Sequence, residues 1–101
     1  MSKEKLIEYD GANFLNTEDD INEYLNIAFQ SGDFQLIAIA LGNVAKTKNL
    51  SKTARQIGMN RSGLHRSFSK NGNPKLSTFF KVANSLGIKL TAAIDKNSGV
   101  V

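Results

Sequence analysis

Between Leu50 and Lys70 the sequence sets two short helical patterns end to end with only a glycine-centred turn between them, and few folds accommodate that. Thr53, Ala54 and Ile57 face inward or flank the inner face of the first pattern, and Leu64 and Phe68, four apart, anchor the second. Two such helices cross at a steep angle, which demands a small side chain where they approach and apolar residues on their inner faces. Ala54 is that small residue. Gly58, four positions on, lets the backbone turn where a Cβ is unfavourable, and Met59 and Leu64 plug the core beneath. Gly58-Met59-Asn60 is the connection. Ser51 is expected to cap the first of these helices, with Leu50 before it as a staple residue, and the second runs from about Arg61 to Ser69.

Helical periodicity extends on both sides of this segment. Thr17 reads as an N-cap with Asp20 three residues on, a short capping box, and Glu18 and Asp19 fall in the first turn, where acids suit the helix dipole. Ile21, Tyr24, Leu25 and Ala28 then recur at helical spacing up to a stop at Ser31-Gly32, giving a helix over 18–30. Asp33 can cap the next helix, whose stripe of Phe34, Ile37, Ala38, Leu41 and Ala45 is widened by Leu36, Ile39, Ala40 and Val44, so it should be covered on most sides. Gly42 in its interior either permits a close approach by another element or is simply tolerated. Lys46 and Lys48 suit its C-terminal dipole, with the turn at Lys48-Asn49. Asn71-Gly72-Asn73-Pro74 is a breaker cluster. Beyond it Ser77 is expected to cap a fifth helix carrying Phe79, Phe80, Val82, Ala83 and Leu86, with Gly87 just past its end.

At Ile88 the period changes. Ile88, Leu90, Ala92 and Ile94 alternate with Lys89, Thr91, Ala93 and Asp95, the pattern of a half-buried strand over 88–95. A lone strand needs a partner, either near the N-terminus or in a second copy of the chain, which would make a homodimer. Residues 1–16 show no sustained period and read as an arm in which Tyr9, Phe14 and Leu15 can pack. The 101 residues are thus expected to form one all-α domain of five helices with a short C-terminal β-strand.

Composition removes several classes of chemistry. There is no cysteine and a single histidine, His65, so disulfides, thiolate metal sites and cysteine nucleophiles are excluded and no metal or other cofactor is expected. No apolar run approaches the roughly 20 residues that span a bilayer, and Met1 to Glu8 lacks the form of a signal peptide; both fit a cytoplasmic protein. Glu18, Asp19, Asp20 and Glu23 are explained by capping and dipole, and no base, nucleophile or phosphate loop accompanies them. No catalytic residue is assigned.

Charge is segregated along the chain. Residues 1–33 hold eight acids and two bases, while 34–101 hold eleven bases and one acid; from Val44 to Thr91 there is no acid and there are ten bases. Such a field suits a polyanion. Within it, the outward positions of the second short helix are polar and rich in donors: Asn60, Arg61, Ser62, His65 and Arg66 are candidates for base contacts. Arginine can bridge O6 and N7 of guanine, and asparagine N6 and N7 of adenine. Ser51, Lys52, Arg55, Gln56, Ser69, Lys70 and Lys75 are candidates for the phosphates on either side. The expected partner is double-stranded DNA. The acidic Glu18, Asp19 and Glu23 are candidates for a basic protein partner, since opposite fields speed association.

The ordered series of segments also carries a family resemblance, over roughly Asp10 to Ile94. It comprises Phe14-Leu15, Glu18-Asp19-Asp20-Ile21 with Tyr24-Leu25, Ala28 before Gly32-Asp33, and Ala40-Leu41-Gly42-Asn43-Val44-Ala45. It continues with Ala54-Arg55-Gln56-Ile57-Gly58-Met59, Arg61, Leu64, Phe68, Gly72-Asn73-Pro74 and Leu86-Gly87-Ile88-Lys89-Leu90. The chain resembles the small bacterial addiction-module antidote proteins, antitoxins with a repressor-like helix-turn-helix. The resemblance implies a dimeric repressor of its own operator that neutralises a small toxin, typically a ribonuclease, and it places Arg61, Ser62, His65 and Arg66 on the reading helix. Gly63 stands where serine is common and His65 where tyrosine is common. The same DNA features suit a stand-alone transcription regulator without a toxin partner, and the fold alone would also serve a protein-only adaptor.

Overall fold

A computed structural model describes residues 15–95. Their regular structure is five helices: α1 (Glu18–Gln30), α2 (Phe34–Lys48), α3 (Leu50–Ile57), α4 (Arg61–Ser67) and α5 (Leu76–Ser85). The all-α expectation holds for these residues, and the arrangement is consistent with a repressor-like helix-turn-helix domain. Most of the expected arm, including Tyr9 and Phe14, lies outside the described residues. Leu15, at its end, is buried in the core.

Local chemistry sets the starts of α1 and α2 as the sequence suggests. The Asp20 backbone N–H donates to Thr17 Oγ1 at 3.1 Å and the Thr17 N–H to Asp20 Oδ2 at 3.2 Å, a reciprocal capping box. Asp33 Oδ1 accepts from the N–H groups of Gln35 (2.9 Å) and Leu36 (3.4 Å). Between Leu36 and Ala45 every residue of α2 is buried, so this helix is the axis of the molecule, with α1, α3 and α5 packed around it. Burying one Leu or Val side chain contributes about 1.5–3 kcal/mol, and Leu41, Val44, Leu64 and Val82 are the largest side chains fully enclosed. One buried polar pair interrupts the apolar interior: Asn43 Nδ2 donates to the Tyr24 hydroxyl oxygen at 2.9 Å, tying α1 to α2.

The role of Gly42 is resolved as a close approach. A Cβ at this position would lie 2.9 Å from Phe68 Cβ and 3.1 Å from the Phe68 carbonyl oxygen. The chain leaving α4 therefore passes directly over the bare backbone of α2. Phe68 then turns its ring into an aromatic cluster, stacked on Phe79 with centroids 6.4 Å apart, while Phe34 meets the same ring at 5.5 Å.

Three boundaries differ from expectation. Asn49, not Ser51, caps α3: its Oδ1 accepts from the Lys52 N–H at 3.0 Å, while its own N–H closes α2 on the Ala45 carbonyl at 2.9 Å. One residue thus ends one helix and begins the next, which leaves Ser51 inside the first turn of α3. Helix α5 begins at Leu76 behind Lys75, whose carbonyl accepts from the Phe79 N–H (2.9 Å) and whose side chain offers no acceptor to cap the first turn; Ser77 lies within that turn. Helix α4 ends at Ser67 rather than Ser69, since Phe68 leaves helical geometry (φ −101°, ψ 15°) to reach the core.

The tail departs further. Gly87 adopts φ 75° and the Ile88 N–H returns to the Ala83 carbonyl at 2.9 Å, closing α5 as expected. No strand forms over 88–95 among the described residues. The alternation is real for one step, because Ile88 and Leu90 are half-buried against the core and Lys89 is exposed, but Ala92 and Ile94 are exposed. A strand requires a neighbouring edge, and the described residues supply none.

Candidate nucleic-acid interface

The turn between α3 and α4 is built by its own backbone. Gly58 takes φ 77°, and the N–H groups of Met59 and Gly58 return to the carbonyls of Ala54 (2.9 Å) and Arg55 (3.3 Å). This left-handed closure satisfies the last carbonyls of α3 and reverses the chain. Ala54 and Leu64 are both buried where the two helices meet, as the spacing of the sequence requires. The three-residue connection leaves α4 held on its inner face by Leu64 and, just beyond it, by Phe68.

Of the residues singled out for base contact, Arg61, Ser62, His65 and Arg66 all lie on α4 and all are exposed. None of their side chains makes a hydrogen bond or ion pair with another described residue. Asn60 is also exposed but has a structural task. Its Oδ1 accepts from the Gly63 N–H at 2.6 Å and caps α4. A bidentate contact with adenine needs both amide atoms, so it competes with this cap. The cap also gives Gly63 a local reason, since a Cβ there would lie 3.0 Å from Asn60 Oδ1.

The residues singled out for phosphate contact divide into two groups. Lys52, Arg55 and Gln56 are exposed on α3 and Ser51 is half-buried beside them. Lys52 and Gln56 line a concavity of about 240 Å³ together with Lys48, Asn49, Thr53, Ser85 and Leu86. Lys48 is a further cation, for which the sequence suggests only the dipole of α2 and the turn at Lys48-Asn49; the break between α2 and α3 means that no helical spacing links it to Lys52. Ser69, Lys70 and Lys75 follow α4. Ser69 Oγ donates to the Arg66 carbonyl at 2.7 Å, and the Lys70 carbonyl accepts from Gln35 Nε2 of α2, so this end of α4 is tied down as well. Glu18, Asp19 and Glu23 are exposed on α1. The first two share a groove of about 370 Å³ with Lys48 and Lys89 rather than with any residue of α4.

Comparison with known proteins decides the family. Residues 5–94 match the family described as probable addiction module antidote protein. This chain belongs to that family. A Haemophilus influenzae protein described only as uncharacterized is 38% identical to this antidote-family chain over 86 residues, covering 85% of it and 89% of the relative. No solved structure matches. Membership gives the chain the general role of an antitoxin in an addiction module. Proteins of this kind are typically non-catalytic, and among the described residues of the antidote chain no group of three or more His, Asp or Glu is placed to hold a metal ion. No helix of the described residues is long and apolar enough to cross a membrane.

Proposed function

We propose that the chain binds duplex DNA as a homodimer through α4, represses its own operon and neutralises a small ribonuclease toxin. The observation that carries the DNA reading is the exposed, unpartnered polar face of α4 within a stretch, Val44 to Thr91, that contains no acid. Arg61 and Arg66 read bases, with Ser62 and His65 adding donors, and Asn60 sets the start of the helix at the groove. Lys52, Arg55, Gln56 and Lys48 on one side, and Lys70 and Lys75 on the other, meet the phosphate strands. Such contacts position a protein without reading sequence. Two-fold symmetry sets the half-sites about 34–36 Å apart along the duplex.

The toxin is assigned to the acidic surface of α1, at Glu18, Asp19 and Glu23, because a protein that cleaves RNA presents a basic surface and opposite fields speed association. This surface does not include α4, and it meets the proposed phosphate contacts only at Lys48, which lines the groove beside Glu18 and Asp19. Two experiments test the reading. Titration of a matched and a scrambled duplex at several salt concentrations should give preferential binding that weakens steeply with salt, as released counterions require; equal affinity for both duplexes refutes base reading. Mixing the chain with the product of an adjacent toxin gene should abolish that product's activity, and a toxin that stays fully active beside excess antidote refutes neutralisation.

A further inference from the structure

The breaker cluster that follows α4 sets a fixed residue beside an idle one. Gly72 is fixed: its N–H donates to the Ser69 carbonyl at 2.9 Å, and a Cβ at this position would overlap the carbonyl oxygens of Arg66 and Ser67. Only glycine fits there. Asn71 before it is exposed, and its side chain makes no hydrogen bond with another described residue. Asn71-Gly72 is the one Asn-Gly pair of the sequence. Such a pair carries chemistry, because a glycine nitrogen, with no Cβ to shield it, is the backbone nitrogen best able to reach the carboxamide before it. Other asparagines lack this combination. Asn73 precedes Pro74, which has no N–H. Asn43 and Asn84 lie within helices, and Asn49 and Asn60 serve as caps.

We propose that Asn71 is a covalent modification site, where the chain converts its own amide to a carboxylate slowly and without an enzyme. The Gly72 nitrogen gives up its proton to solvent and attacks Asn71 Cγ. The new N–Cγ bond closes a five-membered succinimide, the Cγ–Nδ2 bond breaks, and Nδ2 takes up a proton from solvent and leaves as ammonia. Water then opens the ring. Attack at Cγ gives aspartate, and attack at the α-carbonyl gives an isoaspartyl link in which the main chain runs through Cβ and Cγ. The fold sets the pace. In the closed turn the Gly72 N–H is engaged with Ser69, so the nitrogen is available only when the turn opens. Gln35 Nε2, donating to the Lys70 carbonyl, ties the residue before Asn71 to α2 and holds the turn shut. The product changes the surface on which it forms. No acid occurs from Val44 to Thr91, so a carboxylate at 71 is the first negative charge in that field, beside Lys70 and just past the end of α4, where the dipole disfavours an anion. The isoaspartyl link also adds a main-chain carbon next to Gly72, which has no room to spare. Both products weaken the hold on a polyanion; this effect rests on the DNA reading given above, whereas the conversion does not.

Mass spectrometry of peptides from the full chain, incubated without DNA at mildly alkaline pH, reads the conversion. The peptide carrying Asn71 should gain the mass difference between OH and NH2 ahead of every other asparagine. Asn71→Gln should abolish the gain at this position, since glutamine must close a less favourable six-membered ring. Folded Gln35→Ala, checked by thermal melts, should convert faster than wild type, and wild type unfolded in urea faster still, which measures the gate even where Gln35→Ala folds poorly. A folded wild type that keeps the Asn71 amide while the unfolded chain loses it overturns the proposal, as does a folded Gln35→Ala chain that converts no faster. Asn71→Asp should bind a matched duplex up to about fivefold more weakly at low salt, the size of one exposed charge interaction; unchanged binding refutes the charge effect. Because the mass is read without DNA, failure of the conversion is distinguishable from failure of duplex binding.

Discussion

Replacing Gly42 by alanine tests the packing that fixes α4, because two effects of opposite sign meet at that position. In an exposed helix the change from glycine to alanine stabilises by about 0.8–1.0 kcal/mol. Here the new methyl would sit 2.9 Å from Phe68 Cβ and 3.1 Å from the Phe68 carbonyl oxygen. Carbon atoms are comfortable at about 3.5–4.0 Å, so Phe68 must retreat by about 0.6 Å or more. Neither contact is the end of a flexible side chain: both are fixed to the backbone that leaves α4. Overpacking of this kind costs about 1–3 kcal/mol. The net expectation is a loss of about 0–2 kcal/mol, centred near 1, or a fall in Tm of about 4–8 °C for a domain of this size.

Urea and thermal denaturation followed by circular dichroism measure it, and the slope on denaturant should not change. Truncating Phe68 to alanine should not rescue the variant, since the clashing Cβ and carbonyl remain. On the proposed function duplex affinity should fall in step, because the displaced residue directly follows the last residue of α4. A Gly42→Ala chain more stable than wild type by about 1 kcal/mol, the value helix propensity alone gives, refutes the close approach.

Arg61→Ala and Arg66→Ala should each lower discrimination between matched and scrambled duplexes by about 1–3 kcal/mol while changing stability by less than about 0.5 kcal/mol; equal losses on both duplexes would indicate phosphate contact instead. Asn60→Ala should cost about 1 kcal/mol in stability through the lost α4 cap, with Asn60→Ser restoring most of it; unchanged urea melts alongside lost discrimination would make Asn60 a base reader. Tyr24→Phe removes the oxygen to which Asn43 Nδ2 donates and should destabilise by about 1–3 kcal/mol, read by thermal melts, with no selective effect on duplex binding; a neutral result would mean that the amide finds another acceptor.

What was legible in the sequence follows the range of the forces involved. Thr17 with Asp20, and Asp33, are legible as caps because the donors they satisfy lie within three residues. Ser51 is a false signal because Asn49 two residues earlier has the same chemistry, and only the fact that Asn49 also closes α2 separates them. Ser77 misleads for a different reason: α5 starts behind a lysine with no side-chain cap, and no sequence signal marks such a start. The amide of Asn60 suggests a base contact, while its own helix uses the acceptor. The role of Gly42 is not legible locally because its neighbour, Phe68, is 26 positions away. The tail shows the limit of periodicity, since the pattern of 88–95 states which faces are suited to burial but not what would cover them.

The candidate site itself follows from an imbalance between α2 and α4. A helix of seven residues is far below the 12–15 at which isolated helices begin to hold in water, so α4 owes its shape to its attachments. These are the Asn60 cap at one end, Leu64 beneath, and Phe68 with the Gln35–Lys70 hydrogen bond at the other. Two of them, Phe68 over Gly42 and Lys70 at Gln35, lead to α2, whose ten consecutive buried residues make it the part of the fold hardest to displace. Fixing a short helix from its ends and its inner face leaves its outer side chains without any structural duty. Arg61, Ser62, His65 and Arg66 are therefore left for the duplex contact proposed above, and substitutions there should leave the scaffold beneath them unchanged.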